Sequence, residues 1–192
     1  MKKPLIILTG PTAVGKTKLS ISLAQAVNGA IISADSMQVY RHMDIGSAKI
    51  RPEEMCGVPH YLIDVLDPSE EFHVVKFVEL AHEAMEKIYA AGQIPIVTGG
   101  TGFYIQALLK EVDFTESHGE LPIRKQLEEK AATEEGAAEL YRELSEVDPA
   151  SAETIHPNNV KRVIRALEYY HETGQKISEH NEEQKQKESP YC

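Results

Sequence analysis

The chain has 192 residues, 42% of them hydrophobic and 26% charged, which supplies a buried core and excludes a disordered or fibrous chain. Its two cysteines, Cys56 and Cys192, lack metal-ligand spacing and suit a reducing compartment better than a disulfide scaffold. The formal net charge of −10 excludes a uniformly basic nucleic-acid binder, but residues 111–146 alone hold 11 acids against 4 bases, so a local basic face elsewhere is compatible with it.

The chain opens with Met1-Lys2-Lys3 and an apolar run that ends at Thr9, too short for a signal-peptide core or a membrane span. A cytoplasmic protein with no membrane partner is expected. Residues 5–8 predict a first strand and residues 18–27 a helix. Between them lies GPTAVGKT, residues 10–17, which satisfies the phosphate-loop pattern G-x-x-x-x-G-K-[ST] at every fixed position and in the required order of strand, loop and helix. Gly10, Pro11, Thr12, Ala13, Val14 and Gly15 form a turn tight enough to aim backbone N–H groups into one hollow at a helix N-terminus, where an anion is favoured. Lys16 reaches outer phosphate oxygens, and the Thr17 hydroxyl is a ligand for Mg²⁺.

A short apolar run at residues 30–33 predicts a second strand, which places Asp35 at its carboxyl end, where ligands collect in parallel sheets. Periodicity then lapses over residues 37–59, a loop-rich stretch that offers Lys49 and Arg51 as cations. Residues 61–65 predict a third strand. Residues 74–91 carry apolar positions at helical spacing, and residues 94–97 predict a fourth strand that runs into the Gly-rich turn at 98–102 and a helix over 103–110. Alternating strands and helices give an α/β fold, a phosphate-loop, doubly wound parallel sheet.

Beyond residue 110 the strands stop. Residues 111–120 read as a polar linker, followed by helices near 122–133, 135–145 and 158–172, an appended or inserted all-helical domain. The last helix carries Lys161, Arg162 and Arg165 with no acid between Thr154 and Arg165, either a cationic binding patch or an ordinary solvated face. Residues 175–189, dense in Glu, Gln and Lys, predict a mobile or loosely packed tail. The expected domains are a core at 1–112, a helical domain at 113–175 and a connecting tail at 176–192.

The loop alone leaves three function classes. A switch GTPase needs a guanine-reading N/T-K-x-D stretch, and the chain has none. A small-molecule kinase needs a Mg²⁺-holding acid, for which Asp35 or Asp64 would serve, and arginines to clamp the moving phosphoryl group, of which the chain has only six. A transferase would use the loop to hold a diphosphate leaving group. Asp35, at a strand's carboxyl end beside the loop, is a candidate general base for such a transfer, with a helix cap or an indirect Mg²⁺ contact as its other reading.

Five stretches together, GPTAVGKT at 10–17, DSMQVY at 35–40, HYLIDVLDP at 60–68, TGGTGFY at 98–104 and RVIRALE at 162–168, resemble the tRNA dimethylallyltransferases, also called tRNA isopentenyltransferases. The resemblance spans nearly the whole chain. It implies transfer of a dimethylallyl group from dimethylallyl diphosphate to the exocyclic amine of the adenosine 3′ of the anticodon, with Mg²⁺ as cofactor. It also implies Thr101 in the reaction centre beside Lys16 and Asp35, and tRNA contacts from Asp35, Ser36, Met37, Gln38 and Thr101, with Gln38 suited to an adenine edge. The helical part becomes an inserted domain that grips the anticodon stem-loop through Arg124, Lys161, Arg162 and Arg165. Members of the family continue past Cys192 with further strand and helix, so the C-terminal part of the core is expected to be missing. A monomer is expected.

Overall fold

Apolar runs flanked by glycine turns are too short to bury themselves as helices, and in the computed structural model, which describes residues 2–111 and 122–192, they become four parallel strands. These are β1 (Ile6–Thr9), β2 (Gly29–Ser33), β3 (His60–Tyr61) and β4 (Ile94–Gly99), in the spatial order β1-β4-β2-β3. Register sets Ile6 and Ile31 on either side of Ile96, and Ile31 beside His60.

Because side chains alternate along a strand, the sheet buries two faces. Ile31 and Ile96 point to one, where they pack with Ala24, Ile21 and Val27 of helix α1 (Lys16–Val27). Ile32 and Val97 point to the other, under Phe77, Ala81, Met85 and Ile88 of α2 (Val74–Ala90) and Ile105 and Leu108 of α3 (Gly102–Lys110). Helices on both faces make the sheet doubly wound, as the sequence predicts. Each side chain of this size, fully buried, contributes roughly 1.5–3 kcal/mol. Gly99 is needed at the end of β4 because a Cβ there would stand 2.3 Å from the Ala34 carbonyl oxygen.

The predicted strand at 61–65 is shorter than expected. Leu62 and Asp64 take left-handed backbone conformations with φ of 62° and 55°, which end the pleat after Tyr61. The following N–H groups instead donate to the carbonyls of Gln38 and Val39.

The second compact unit is helical and covers residues 113–187, while the first comprises residues 1–112 and 188–192. The chain therefore leaves the α/β unit and returns to it. Among the described residues the helical unit contains α4 (Pro122–Lys130), α5 (Glu134–Val147), α6 (Pro149–Thr154), α7 (Val160–Thr173) and α8 (Ile177–Gln186). Leu127, Leu140, Leu144, Val163, Ile164 and Leu167 form its core. The predicted linker falls almost entirely on residues 112–121, outside the described residues.

Two helices here differ from expectation. The Asp148-Pro149 pair, read as a break, starts α6: Asp148 caps it by accepting from the Ser151 N–H, and proline fits the first helical position. The polar segment read as a loose tail forms α8, whose first turn is anchored when Ser178 donates from its N–H and hydroxyl to the buried Asp148 carboxylate, at 3.0 and 2.6 Å. No helix among the described residues is long and apolar enough to cross a membrane.

Candidate active site

Three turns converge because β4 lies between β1 and β2: the phosphate loop after β1, the glycine turn after β4 and the segment after β2 all leave the same edge of the sheet. Gly15, with φ of 87°, takes the left-handed conformation that starts α1, and no acidic side chain occupies that helix's first turn. The positive end of the helix dipole is thus open to an external anion. Lys16 folds over the loop and donates to the carbonyl oxygens of Gly10, at 2.8 Å, and Pro11.

A cavity of about 570 Å³ occupies this junction. Thr12, Ala13, Gly15, Lys16 and Thr17 form one wall; Ser33, Asp35, Met37 and Gln38 form another; Thr98, Gly99 and Gly100 form the floor between them; and residues 46–48 close the remaining side. Asp35 therefore shares one hollow with Lys16 and Thr17. Its Oδ1 accepts from the N–H groups of Met37, at 2.9 Å, and Gln38, at 3.3 Å, so it does cap the turn that follows it. That cap uses one oxygen, and Oδ2 carries no hydrogen bond among the described residues.

Thr101 is one residue beyond the lining, at the start of α3, and its hydroxyl makes no helix-capping bond. Gly10, Pro11, Val14 and Ser36 belong to the same turns without lining the cavity, and Val14 projects into solvent. Gln38 is more committed than the sequence implies. Its amide oxygen accepts from the Ser33 hydroxyl at 3.1 Å, and its amide nitrogen donates to the carbonyls of Ser47 and Ala48 at 3.3 and 3.4 Å. An adenine edge would have to compete with these partners. Ser33 and the wall at residues 46–48 escaped sequence reasoning, since they lie on no motif and in a stretch without periodicity; Gly46 is the one local signal of a turn.

Lys49 corrects a further expectation. Read as an available loop cation, it is instead engaged, its side chain only 5% exposed and its ammonium donating to the Tyr40 carbonyl at 2.8 Å, to Asp44 Oδ1 at 2.8 Å and to Asp64 Oδ1 at 2.6 Å. Burial works against its charge, and the bonds to Asp44 and Asp64 more than offset that, so its pKa lies above the ordinary lysine value. The same bond holds the Asp44 carboxyl below the usual carboxylate range.

In the helical unit, Lys161 and Arg162 are exposed on the first turn of α7. Arg124 and Arg165, 41 positions apart, meet on one carboxylate: Glu168 Oε2 accepts from Arg124 at 3.3 Å and Arg165 at 3.1 Å, and Glu168 is fully buried. Arg124 also donates to Glu128 at 3.0 Å. A buried carboxylate requires such partners, because its desolvation would otherwise cost several kcal/mol.

The chain is similar to known proteins along its whole length. It is 65% identical over 189 residues to the tRNA dimethylallyltransferase of Lachnoclostridium phytofermentans, covering 98% of this chain and 60% of that protein. It is 51% identical over 183 residues to the tRNA dimethylallyltransferase of Bacillus mycoides, covering 95% and 57%. The chain thus spans somewhat over half the length of these curated relatives. Among solved structures, a eukaryotic dimethylallyltransferase acting on tRNA superposes with a TM-score of 0.85 at 40% identity, over 98% of this chain and 46% of that one. The tRNA isopentenylpyrophosphate transferase of Bacillus halodurans gives a TM-score of 0.61 at 48% identity, over 91% of this chain and 57% of that one. The family model described as IPP transferase matches residues 38–192. With that match over most of its length, and a phosphate loop facing a carboxylate across one cavity, the chain belongs to the IPP transferase family.

Proposed function

We propose that the protein containing this chain transfers a dimethylallyl group from dimethylallyl diphosphate to the exocyclic amine of the adenosine 3′ of the anticodon in tRNA, releasing diphosphate. The observation that carries this reading is the single cavity that Lys16 and Thr17 share with Asp35. The loop binds the diphosphate. As the allylic C–O bond breaks, its electron pair passes to the departing diphosphate, whose growing charge is met by loop N–H groups and by Lys16 as it exchanges the Gly10 and Pro11 carbonyls for phosphate oxygens. The adenine nitrogen bonds to the freed carbon and loses a proton to Asp35, held in place by the two N–H groups on its Oδ1. Thr101, its hydroxyl uncommitted to a cap, hydrogen-bonds the diphosphate or the amine.

The Thr17 hydroxyl, which lines the cavity, would hold Mg²⁺ together with oxygens of the diphosphate, hard donors of the kind this ion takes, and leave Asp35 to the proton. Bound there, Mg²⁺ would neutralise charge on the leaving group. Lys161, Arg162, Arg124 and Arg165 of the helical unit contact the phosphates of the anticodon stem-loop, and the adenine is unstacked to react. The protein acts as a cytoplasmic monomer.

The test incubates the intact protein with Mg²⁺, labelled dimethylallyl diphosphate and an anticodon stem-loop RNA. Label in the RNA is expected. Transfer of a terminal phosphate from ATP to a small molecule with no RNA labelling would overturn the reading in favour of a kinase, a class whose clamping arginine is absent from the cavity lining among the described residues.

A further inference from the structure

The wall at residues 46–48 is thin. Gly46 and Ala48 face the phosphate-loop cavity on one side and, on the other, a second hollow of about 860 Å³ alongside α1. Little packs behind this wall, so its position depends on its ties. Asp44 and Lys49, bonded to each other, close the loop whose tip is the wall, and the Ser47 hydroxyl donates to the Met43 carbonyl just before it. Lys49 then fastens the closed loop to two other segments, through the Tyr40 carbonyl beyond β2 and Asp64 beyond β3. Three acceptors match the three N–H donors of an ammonium.

We propose that Lys49 is a positioning residue of the donor site: it touches no substrate, but pins the 44–49 loop so that the wall confines the diphosphate against the phosphate loop. The proposal rests on the reading of that cavity as the donor diphosphate site. The pinned loop also reaches the acceptor side. The Ser47 and Ala48 carbonyls receive the Gln38 amide, and the Gln38 N–H donates to Asp35, so a displaced wall also shifts the Asp35 carboxylate, an effect read in kcat and not in RNA affinity.

Lys49→Met keeps the length and removes the donors. Its two carboxylate partners are 69% and 48% exposed at the side chain and regain water, whereas Lys49 itself is 5% exposed and its volume is filled by methionine. The fold is therefore expected to survive. In the intact enzyme this variant should raise the KM for dimethylallyl diphosphate and the Kd for inorganic diphosphate by about tenfold and lower kcat by a similar factor, while the KM for the stem-loop RNA stays within about twofold. Asp44→Asn, which weakens one tie, should move the same quantities in the same direction by less. Lys49→Arg, which keeps the charge but replaces a compact ammonium with a planar fork, should restore them only in part.

A folded Lys49→Met enzyme with unchanged donor KM, diphosphate Kd and kcat overturns the proposal, as does a parallel rise in the RNA KM. Should Lys49→Met fail to fold, an unchanged donor KM and diphosphate Kd in Asp44→Asn overturns it instead. Wild-type enzyme that binds diphosphate without labelling RNA would sink the proposed reaction, and diphosphate binding by the variants would still decide the role of Lys49.

Discussion

The α/β unit and the helical unit use their carboxylates for opposite purposes. In the α/β unit, main-chain turns at three adjacent strand ends form a hollow, and Asp35 keeps one oxygen bonded to its own turn and the other turned to no partner among the described residues. In the helical unit, buried Asp148 and Glu168 are used to join helices: Asp148 receives Ser151 and Ser178, and Glu168 receives Arg124 and Arg165. A carboxylate that lines a cavity with one oxygen unbonded is suited to chemistry, whereas Asp148, with both oxygens bonded, and Glu168, with Oε2 shared by two arginines and Oε1 sealed from solvent, are suited to architecture. Position along the chain does not distinguish them; surroundings do.

Four variants of the intact enzyme break or sharpen this contrast. Asp35→Ala is expected to cut prenyl transfer about a thousandfold while inorganic diphosphate binds within twofold of wild type, because it removes the base and leaves the loop. Turnover that survives would move Asp35 to the architectural side. Lys16→Ala should cost about a hundredfold in turnover and, unlike Asp35→Ala, should weaken diphosphate binding as well.

Asp148→Asn should leave both activities of the α/β unit alone and lower the thermal stability of the helical unit by about 2 kcal/mol at neutral pH. Burial opposes ionisation of Asp148, but hydrogen bonds from Ser151 and Ser178 prevail and hold its carboxyl below the ordinary value of 3.8. The unfolded chain therefore binds the proton more readily than the fold, so this stabilisation is complete above that value and drains away as pH falls through the lowered folded value. The gap between wild type and variant, read by thermal melts across pH, should narrow below pH 3.8. A constant gap would mean that the carboxylate charge is not what holds α6 to α8.

The smallest effect is expected from charge reversal of Lys161 and Arg162 together. Stem-loop affinity should fall about tenfold and the salt dependence of binding should flatten by about two phosphate contacts, with donor binding untouched. Loss of donor binding in parallel would assign the defect to folding.

The sequence made the α/β frame legible because its signals are local: apolar runs bounded by glycine turns, helical spacing over residues 74–91 and a phosphate loop in the right order. What it concealed depends on distant partners. Residues 61–65 look like a strand, yet Leu62 and Asp64 turn left-handed where the 38–40 segment captures the chain. Residues 177–186 look too polar to pack as a helix; what anchors their first turn is Asp148, 30 positions before Ser178. The candidate site was legible in Lys16 and Thr17, where the phosphate loop enters α1, and in Asp35, just past β2, and illegible in Lys49, whose neighbours are assembled by three separate segments. Arg124 and Arg165 could be named as cations, but no local pattern reveals that they share Glu168.

The spacing between the carboxylate and the anion hollow is ultimately set by an atom that is not there. With only hydrogen on its α-carbon, Gly99 lets the ends of β2 and β4 approach until the Ala34 carbonyl lies where a methyl group would be. Any larger residue would wedge those two strand ends apart and lengthen the path from Asp35 to the phosphate loop. The reach across this cavity is thus calibrated at a sheet seam, by a residue with no chemistry of its own.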